Sequence, residues 1–283
     1  MWAKNRKLIR FSTFVLASLL FILFAGVSEL FSETANDWQQ LDNGLYIGKF
    51  SLPGEKSGDG KITIIRVNPT FFKLVLLCAS ELKEENMTVR QWCKKYHLIG
   101  GINAGMFQED YKSNVGYMKN FSHINNPRVS PLYKSIIAFN PLDGRRPYFH
   151  IFDIDEADVR QIIRSYATVI QNLRLIKRPA ENRWNKQQDK KWCEAALGED
   201  KEGNALFIFC NRPYSMYDFN EILLKLPVGI VAAQHLEGGP LASLYFSYGK
   251  VTVEFIGSCA INIDGGGDNS YWTVPNVLGF RKR

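Results

Sequence analysis

The sequence predicts a single mixed α/β domain of the α+β type over residues 36–283, with a large mixed, partly antiparallel sheet and about three helices. Three observations lead there. About ten runs are rich in β-branched and aromatic residues and are bounded by Gly, Pro, Asn or Asp. Three amphipathic segments each begin at a capping residue. The first three strand-like runs follow one another with no helix between them, which requires antiparallel pairing. A chain of 283 residues, 46% hydrophobic and 22% charged, buries a core of that size. The same composition excludes a disordered protein, a coiled coil and a small disulfide scaffold.

The N-terminal segment, residues 1–35, stands apart. Lys4, Arg6, Lys7 and Arg10 precede Phe11–Val27, seventeen residues without a charge. A secretory signal has a basic start and an apolar stretch of about 7–15 residues. A spanning helix needs about 20. The segment falls between the two, so it reads as a cleaved signal peptide or as a retained anchor, with residues 8–27 as the membrane-anchoring stretch. Either way the domain is expected outside the cytoplasm, since positive charge stays inside. The net charge is +7, of which those four residues supply four and leave +3 for the remainder. That is too mild for a nucleic-acid partner. The closing Arg281-Lys282-Arg283 reads as a solvated tail.

Strands are expected at Leu45–Phe50 and Lys61–Val67, joined by the turn residues Gly54 to Gly60. Further strands are expected at Phe71–Cys78, Leu98–Asn103, Ser135–Asn140, Tyr148–Phe152, Ala205–Cys210, Ile230–Leu236, Ser243–Phe246 and Val251–Ile256. Thr88 with Gln91 forms a capping box ahead of Val89, Trp92, Cys93 and Tyr96. Asp155 is the expected cap of a second helix, with Val159, Ile162, Ile163 and Tyr166 on one face. Ser215 with Asp218 opens a third, carrying Phe219, Ile222, Leu223 and Leu226, with Pro227 just beyond its end. Arg178 to Lys191 reads as a long exposed loop. Of the five cysteines, Cys78, Cys93 and Cys210 sit in apolar surroundings and read as small buried hydrophobes; the odd count leaves at least one unpaired or paired between chains, and the sequence does not say which two would form a disulfide.

Four segments place polar groups at the end of a buried strand, where ligands of sheet proteins collect. In Gly100-Gly101-Ile102-Asn103-Ala104-Gly105 the Asn103 amide suits sugar hydroxyls, and Gly105 admits close approach. The other reading of Asn103 is a residue that caps local backbone groups. Gln171 follows Val169-Ile170, and its default is an ordinary surface amide. Arg212 follows an apolar strand and precedes a helix start, an arrangement that suits an anion or a surface carboxylate. Glu237 leaves the apolar run Ile230–Ala233 with Gly238 and Gly239 behind it. Burial there requires a reason, such as acid–base work. His235 alternates with Glu237 and is expected on the same side. Nothing calls for a metal ion or an organic cofactor. No cysteines have CxxC spacing, and the Asp264-Gly265-Gly266-Gly267 run lacks the Glu of a calcium loop.

In this order the four segments resemble the phosphodiester glycosidase family, over roughly Asn43 to Phe280. Asn103-Ala104-Gly105-Met106-Phe107 is similar to that family's small-residue turn. Gln171 fits its Gln-centred strand end, and Asn211-Arg212 its Asp-Gly-Arg-like strand end. Ala195-Ala196-Leu197-Gly198 is similar to its Ala-Ile-Gly-like segment. His235-Leu236-Glu237-Gly238-Gly239-Pro240 resembles its signature, and Val274 to Gly279 resembles its closing strand. There are departures. Trp192, Cys193 and Glu194 stand where the family has an Arg, Glu237 replaces the signature Asp, and His235 replaces the signature Asn. The resemblance implies an extracytoplasmic hydrolase that cleaves the glycosidic bond of a sugar phosphodiester, on a free substrate or a surface glycan. It implies catalytic Glu237 and Asn103, with Gln171, Arg212, Gly105, Gly238, Gly239 and His235 binding substrate. The departures leave a second reading, a non-catalytic carbohydrate-binding or envelope-assembly protein on the same scaffold.

Overall fold

The computed structural model describes residues 38–51, 61–186, 190–257 and 272–283. The N-terminal segment, the whole Gly54–Gly60 turn and the Asp264 glycine run lie outside them. The chain from Trp38 onward forms one compact unit.

In chain order the first strands are β1 (Trp38–Asp42), β2 (Leu45–Ser51), β3 (Lys61–Val67) and β4 (Phe72–Cys78). Helices α1 (Ala79–Leu82) and α2 (Val89–Lys95) precede β5 (Gly100–Asn103), β6 (Met118–Asn120), β7 (His123–Asn126), β8 (Ser135–Pro141) and β9 (Phe149–Asp153). Helix α3 (Val159–Ser165) leads into β10 (Tyr166–Asn172), β11 (Arg174–Lys177), β12 (Glu181–Asn182), β13 (Trp192–Asp200) and β14 (Ala205–Tyr214). Helix α4 (Met216–Lys225) is followed by β15 (Ile230–Gly238), β16 (Ser243–Tyr248), β17 (Val251–Ile256) and β18 (Asn276–Lys282).

These strands form three sheets: β1-β2-β3-β14-β13-β15-β11-β12, β7-β6-β10-β8-β9 and β17-β16-β5-β18-β4. Every pairing between the described strands is antiparallel, as in β13 with β14 and with β15. The expected large mixed sheet is therefore corrected to a predominantly β domain of antiparallel sheets. The physical reason is that short turns join sequence neighbours directly, so hardly any helical crossover is left to make strands parallel.

The sheets share one core. Phe207 and Phe246 each pack on Phe280, at centroid distances of 5.1 and 6.3 Å. Fully burying one such ring contributes roughly 1.5–3 kcal/mol. Each helix with an amphipathic face covers an outer sheet surface. Met216, Phe219 and Leu223 of α4 pack with Ile62, Ile64 and Ile208. Trp92 and Cys93 of α2 pack with Leu77 and Val277. The capping box of α2 forms as read, with Thr88 and Gln91 bonding each other's backbone N–H. Helix α3 is capped by Asp158 and not by Asp155: Asp158 accepts from the Arg160 and Gln161 N–H groups. Asp155 is drawn off instead by Arg174 at 2.7 Å and Lys134 at 3.3 Å.

The polar stretch expected as a plain loop from Arg178 contributes the short strand β12, paired with β11. Cys193 is disulfide-bonded, while Cys78, Cys93 and Cys210 are buried thiols. Among the described residues, no helix is long and apolar enough to cross a membrane.

Candidate active site

β13 runs antiparallel to both its neighbours, so its first residues lie beside the last residues of β14 and β15. Glu194 stands opposite Cys210 on one side and Gly238 on the other; Ala195 stands opposite Phe209 and Glu237. Three strand ends therefore bring Arg212, Glu194, His235 and Glu237 to one edge of the large sheet. The pairing of β14 with β13 jumps from Cys210 to Tyr214 while β13 advances only from Glu194 to Trp192. The extra residues bulge outward, and Arg212 is exposed on that bulge.

Two ionisable groups, Glu194 and His235, are buried at this edge, and a third, Glu237, is half-buried beside them. His235 Nδ1 forms a short hydrogen bond and ion pair with Glu194 Oε1. The other Glu194 oxygen accepts from the Trp192 indole N–H at 2.9 Å. Burial lifts the Glu194 carboxyl above its ordinary range. Burial works against the His235 imidazolium, but the Glu194 and Glu237 carboxylates outweigh it and raise His235. Glu237 is raised chiefly by burial, against His235 and the Gly238 N–H, which lower it. That Gly238 N–H donates to Glu237 Oε1 at 3.0 Å. His235 and Glu237 thus act on each other electrostatically, across an irregularity in the β13–β15 register that interrupts the strand's alternation.

The remaining residues singled out in the sequence have specific structural partners. Asn103 is buried, its Nδ2 donating to the Leu241 carbonyl at 2.7 Å and its Oδ1 accepting from the Ser243 N–H at 2.7 Å. It fixes the turn that follows Glu237, which matches the reading of a residue that caps local backbone groups. Gln171 is fully buried. Its amide donates to the Ser130 and Tyr133 carbonyls and accepts from the Tyr117 and Ser130 N–H groups. Neither a surface amide nor a sugar-binding group, it is an interior crosslink with every bonding position taken.

Gly105 is required by its own surroundings. A Cβ there would stand 2.6 Å from Asn114 Oδ1 and 2.8 Å from Asn172 Nδ2. Both of those buried atoms lack a hydrogen-bond partner. The residue after Asn172, Leu173, accepts from the His235 N–H through its carbonyl at 2.9 Å. Gly238 makes room for Trp192, whose ring would be 2.6 Å from a Cβ at that position. Gly239 has φ +65 and open space around it, so its need is conformational.

Sequence reasoning missed Glu194, Asn114 and Asn172. Glu194 had the same signal as Glu237: a lone acid inside the apolar run Cys193-Ala195-Ala196-Leu197. Among the described residues, no group of three or more His, Cys, Asp or Glu side chains is arranged to hold a metal ion.

The phosphodiester glycosidase family matches residues 96–281, about two thirds of the chain, and the chain belongs to that family. Two solved structures share the fold. One is a hypothetical protein from Synechocystis, at TM-score 0.61 and 14% identity, covering 87% of this chain. This chain spans only 63% of that protein. The other is the catalytic domain of zebrafish N-acetylglucosamine-1-phosphodiester alpha-N-acetylglucosaminidase, auto-inhibited by its pro-peptide. It aligns at TM-score 0.61 and 13% identity, over 89% of this chain and 85% of that one. No curated protein matches this chain significantly.

Proposed function

We propose that the protein is an extracytoplasmic hydrolase that cleaves the glycosidic bond of a sugar phosphodiester, with Glu237 as its base. The observation that carries the proposal is the state of Glu237. It is a half-buried carboxylate at a strand end, raised by burial and engaged by the Gly238 N–H, beside a second, buried acid that is already paired with His235. A carboxylate raised above its ordinary value is a stronger base, closer to working pH.

Phosphate is a good leaving group, so the chemistry needs little help from a general acid. Water attacks the anomeric carbon, and its proton goes to Glu237. The bond between that carbon and the phosphate oxygen breaks, and its electron pair leaves with the phosphate. Arg212, exposed on its bulge at the same edge, supplies positive charge toward the diester. Asn103 and Gln171 hold the surrounding turns.

The disulfide at Cys193 supports the compartment, because such bonds persist in oxidising surroundings. So does the reading of residues 8–27 as an export signal or anchor. The test is sugar release from the methyl diester of N-acetylglucosamine 1-phosphate by the purified chain. Release that Glu237→Gln abolishes supports the proposal. Binding of the diester with no release replaces it with the carbohydrate-binding reading.

A further inference from the structure

Away from the candidate active site, two neighbouring hairpins present large apolar side chains where turns usually carry polar ones. Phe121 sits in the β6–β7 turn and is 56% exposed; Leu142 opens the β8–β9 connection at 64%, and Tyr148 closes it at 47%. The three line a single shallow hollow of about 260 Å³ together with Lys73, Asn140 and Arg283.

The backbone at these tips is held in place. The Phe121 N–H donates to the Ala167 carbonyl at 2.8 Å, and the Leu142 N–H to the Ser165 carbonyl at 2.9 Å. Phe121 has φ +50, and Asn140, beside the other tip, has φ +56. A bulky aromatic residue in the left-handed region is strained, and such strain persists only where the surroundings impose it. Both tips are thus fixed with their apolar groups outward.

Positive charge surrounds them. Lys73 and Arg281 are directly opposed in the β4–β18 pair, and Arg283 lies two positions further along the chain, so all three fall on one face. The Arg283 guanidinium lies over the Tyr148 ring at 4.1 Å. Arg145 and Arg146 lie in the β8–β9 connection, whose one acid, Asp143, is 3.5 Å from Arg146. Glu81 flanks the other hairpin and is bonded to Asn120.

Apolar groups fixed at protruding tips, ringed by cations, match an anionic lipid surface: the tips enter the headgroup boundary and the cations meet the phosphates. A soluble anionic polymer would use the cations and leave the apolar tips in water. We infer that this face, built on Phe121, Leu142, Tyr148, Lys73, Arg281 and Arg283, docks the domain onto an anionic lipid bilayer.

The experiment places a polarity-sensitive fluorophore on the full chain through Leu142→Cys, and separately through Lys201→Cys in the β13–β14 turn. Unsubstituted chain taken through the same labelling is the blank. Vesicles are phosphatidylcholine alone, or with about 30% phosphatidylglycerol. Comparing two sites on one chain cancels any attachment through residues 8–27. The expected result is a blue shift at position 142 with anionic vesicles, little with neutral ones, and none at position 201. A cation near such a surface is worth about fivefold in partitioning. Reversing Lys73, Arg281 and Arg283 to Glu is therefore expected to raise the lipid concentration for half-maximal shift at least tenfold. The label at Tyr148→Cys repeats the measurement from the other end of the connection. No shift at 142 and 148, an equal shift at 201, or the same shift with soluble polyphosphate and no vesicle overturns the inference.

Discussion

The two ends of the β14-β13-β15 strand trio each bury an acid, and they use it differently. At one end, Asp200 is raised chiefly by burial. It is surrounded nonetheless: Asn204 Nδ2 at 3.0 Å, the Asn204 N–H at 2.9 Å, the Glu202 N–H at 3.1 Å, and Arg66 Nε at 3.0 Å. Arg66 is itself fixed by the Val228 carbonyl at 2.9 Å and lies 4.1 Å over the Trp38 ring. At the other end, Glu237 receives the Gly238 N–H and faces a like-charged neighbour in Glu194. A carboxylate has about four acceptor positions. Asp200 fills three of them with hydrogen bonds and faces Arg66 as an ion pair, and Glu237 keeps most of its own. Burial alone raises both acids; what separates a structural acid from a chemically available one is how many of those positions are already occupied.

The sharpest way to break this comparison is to remove one charge at each end. Glu237→Gln is expected to lower kcat on a sugar phosphodiester by about 10²–10⁴-fold, the usual contribution of a general base, with the fold retained. Asp200→Asn is expected to leave kcat within about twofold. Equal losses in steady-state assays would erase the distinction.

Truncation reads out in stability. Glu194→Ala leaves His235 buried without its partner and the Trp192 indole N–H without an acceptor. A loss of about 3–5 kcal/mol is expected in urea unfolding. Asp200→Ala is expected to cost less, about 1–3 kcal/mol, because Arg66 keeps the Val228 carbonyl and partial exposure. The reverse order would show that the Asp200 end carries more of the fold.

Titration sharpens the comparison further. His235 is raised above its ordinary 6.5. Its contribution to stability is therefore fully present below pH 6.5 and is lost as pH rises through the raised value. Unfolding free energy is expected to decline above pH 6.5, by at most about 1.4 kcal/mol per pH unit for one proton. Glu194→Gln removes the charge that raises His235 and is expected to flatten that decline. Glu237, raised above 4.5, sets the acid limb of the kcat/KM profile above pH 4.5. A limb at or below that value would exclude Glu237 as the base.

The smallest expected effect belongs to Gly239→Ala. Its Cβ meets nothing, so only the φ of +65 is penalised, at about 1–2 kcal/mol. Gly238→Ala should cost more, since it drives into the Trp192 ring.

Much of the fold was legible in the residues. Lys61–Val67 and Val251–Ile256 form strands with the bounds read from their β-branched alternation. β13 was not legible: Glu194, Glu199 and Asp200 interrupt any apolar pattern, and each is buried only because a partner comes from elsewhere in the chain. His235 pairs with Glu194, Arg178 lies 2.7 Å from Glu199, and Arg66 meets Asp200. The positions of Asn103 and Gln171 at strand ends were readable, but their roles were not. What an amide bonds to depends on turns such as Ser130–Tyr133 and Leu241–Ser243, which only the tertiary fold brings within reach. Glu237 was readable for a local reason, an acid directly behind Ile230–Ala233.

The placement of β18 bears on how the protein is made. This strand, residues 276–282, lies between β4 and β5, which are synthesised some two hundred residues earlier, and it pairs with both. Those two early strands therefore gain the neighbour that joins them only once residues 276–282 have been made. Until then each has an open edge, and the ring stack on Phe280 is missing. A late strand that joins two early ones makes closure of this sheet a long-range event, and contacts between residues so far apart in sequence form slowly.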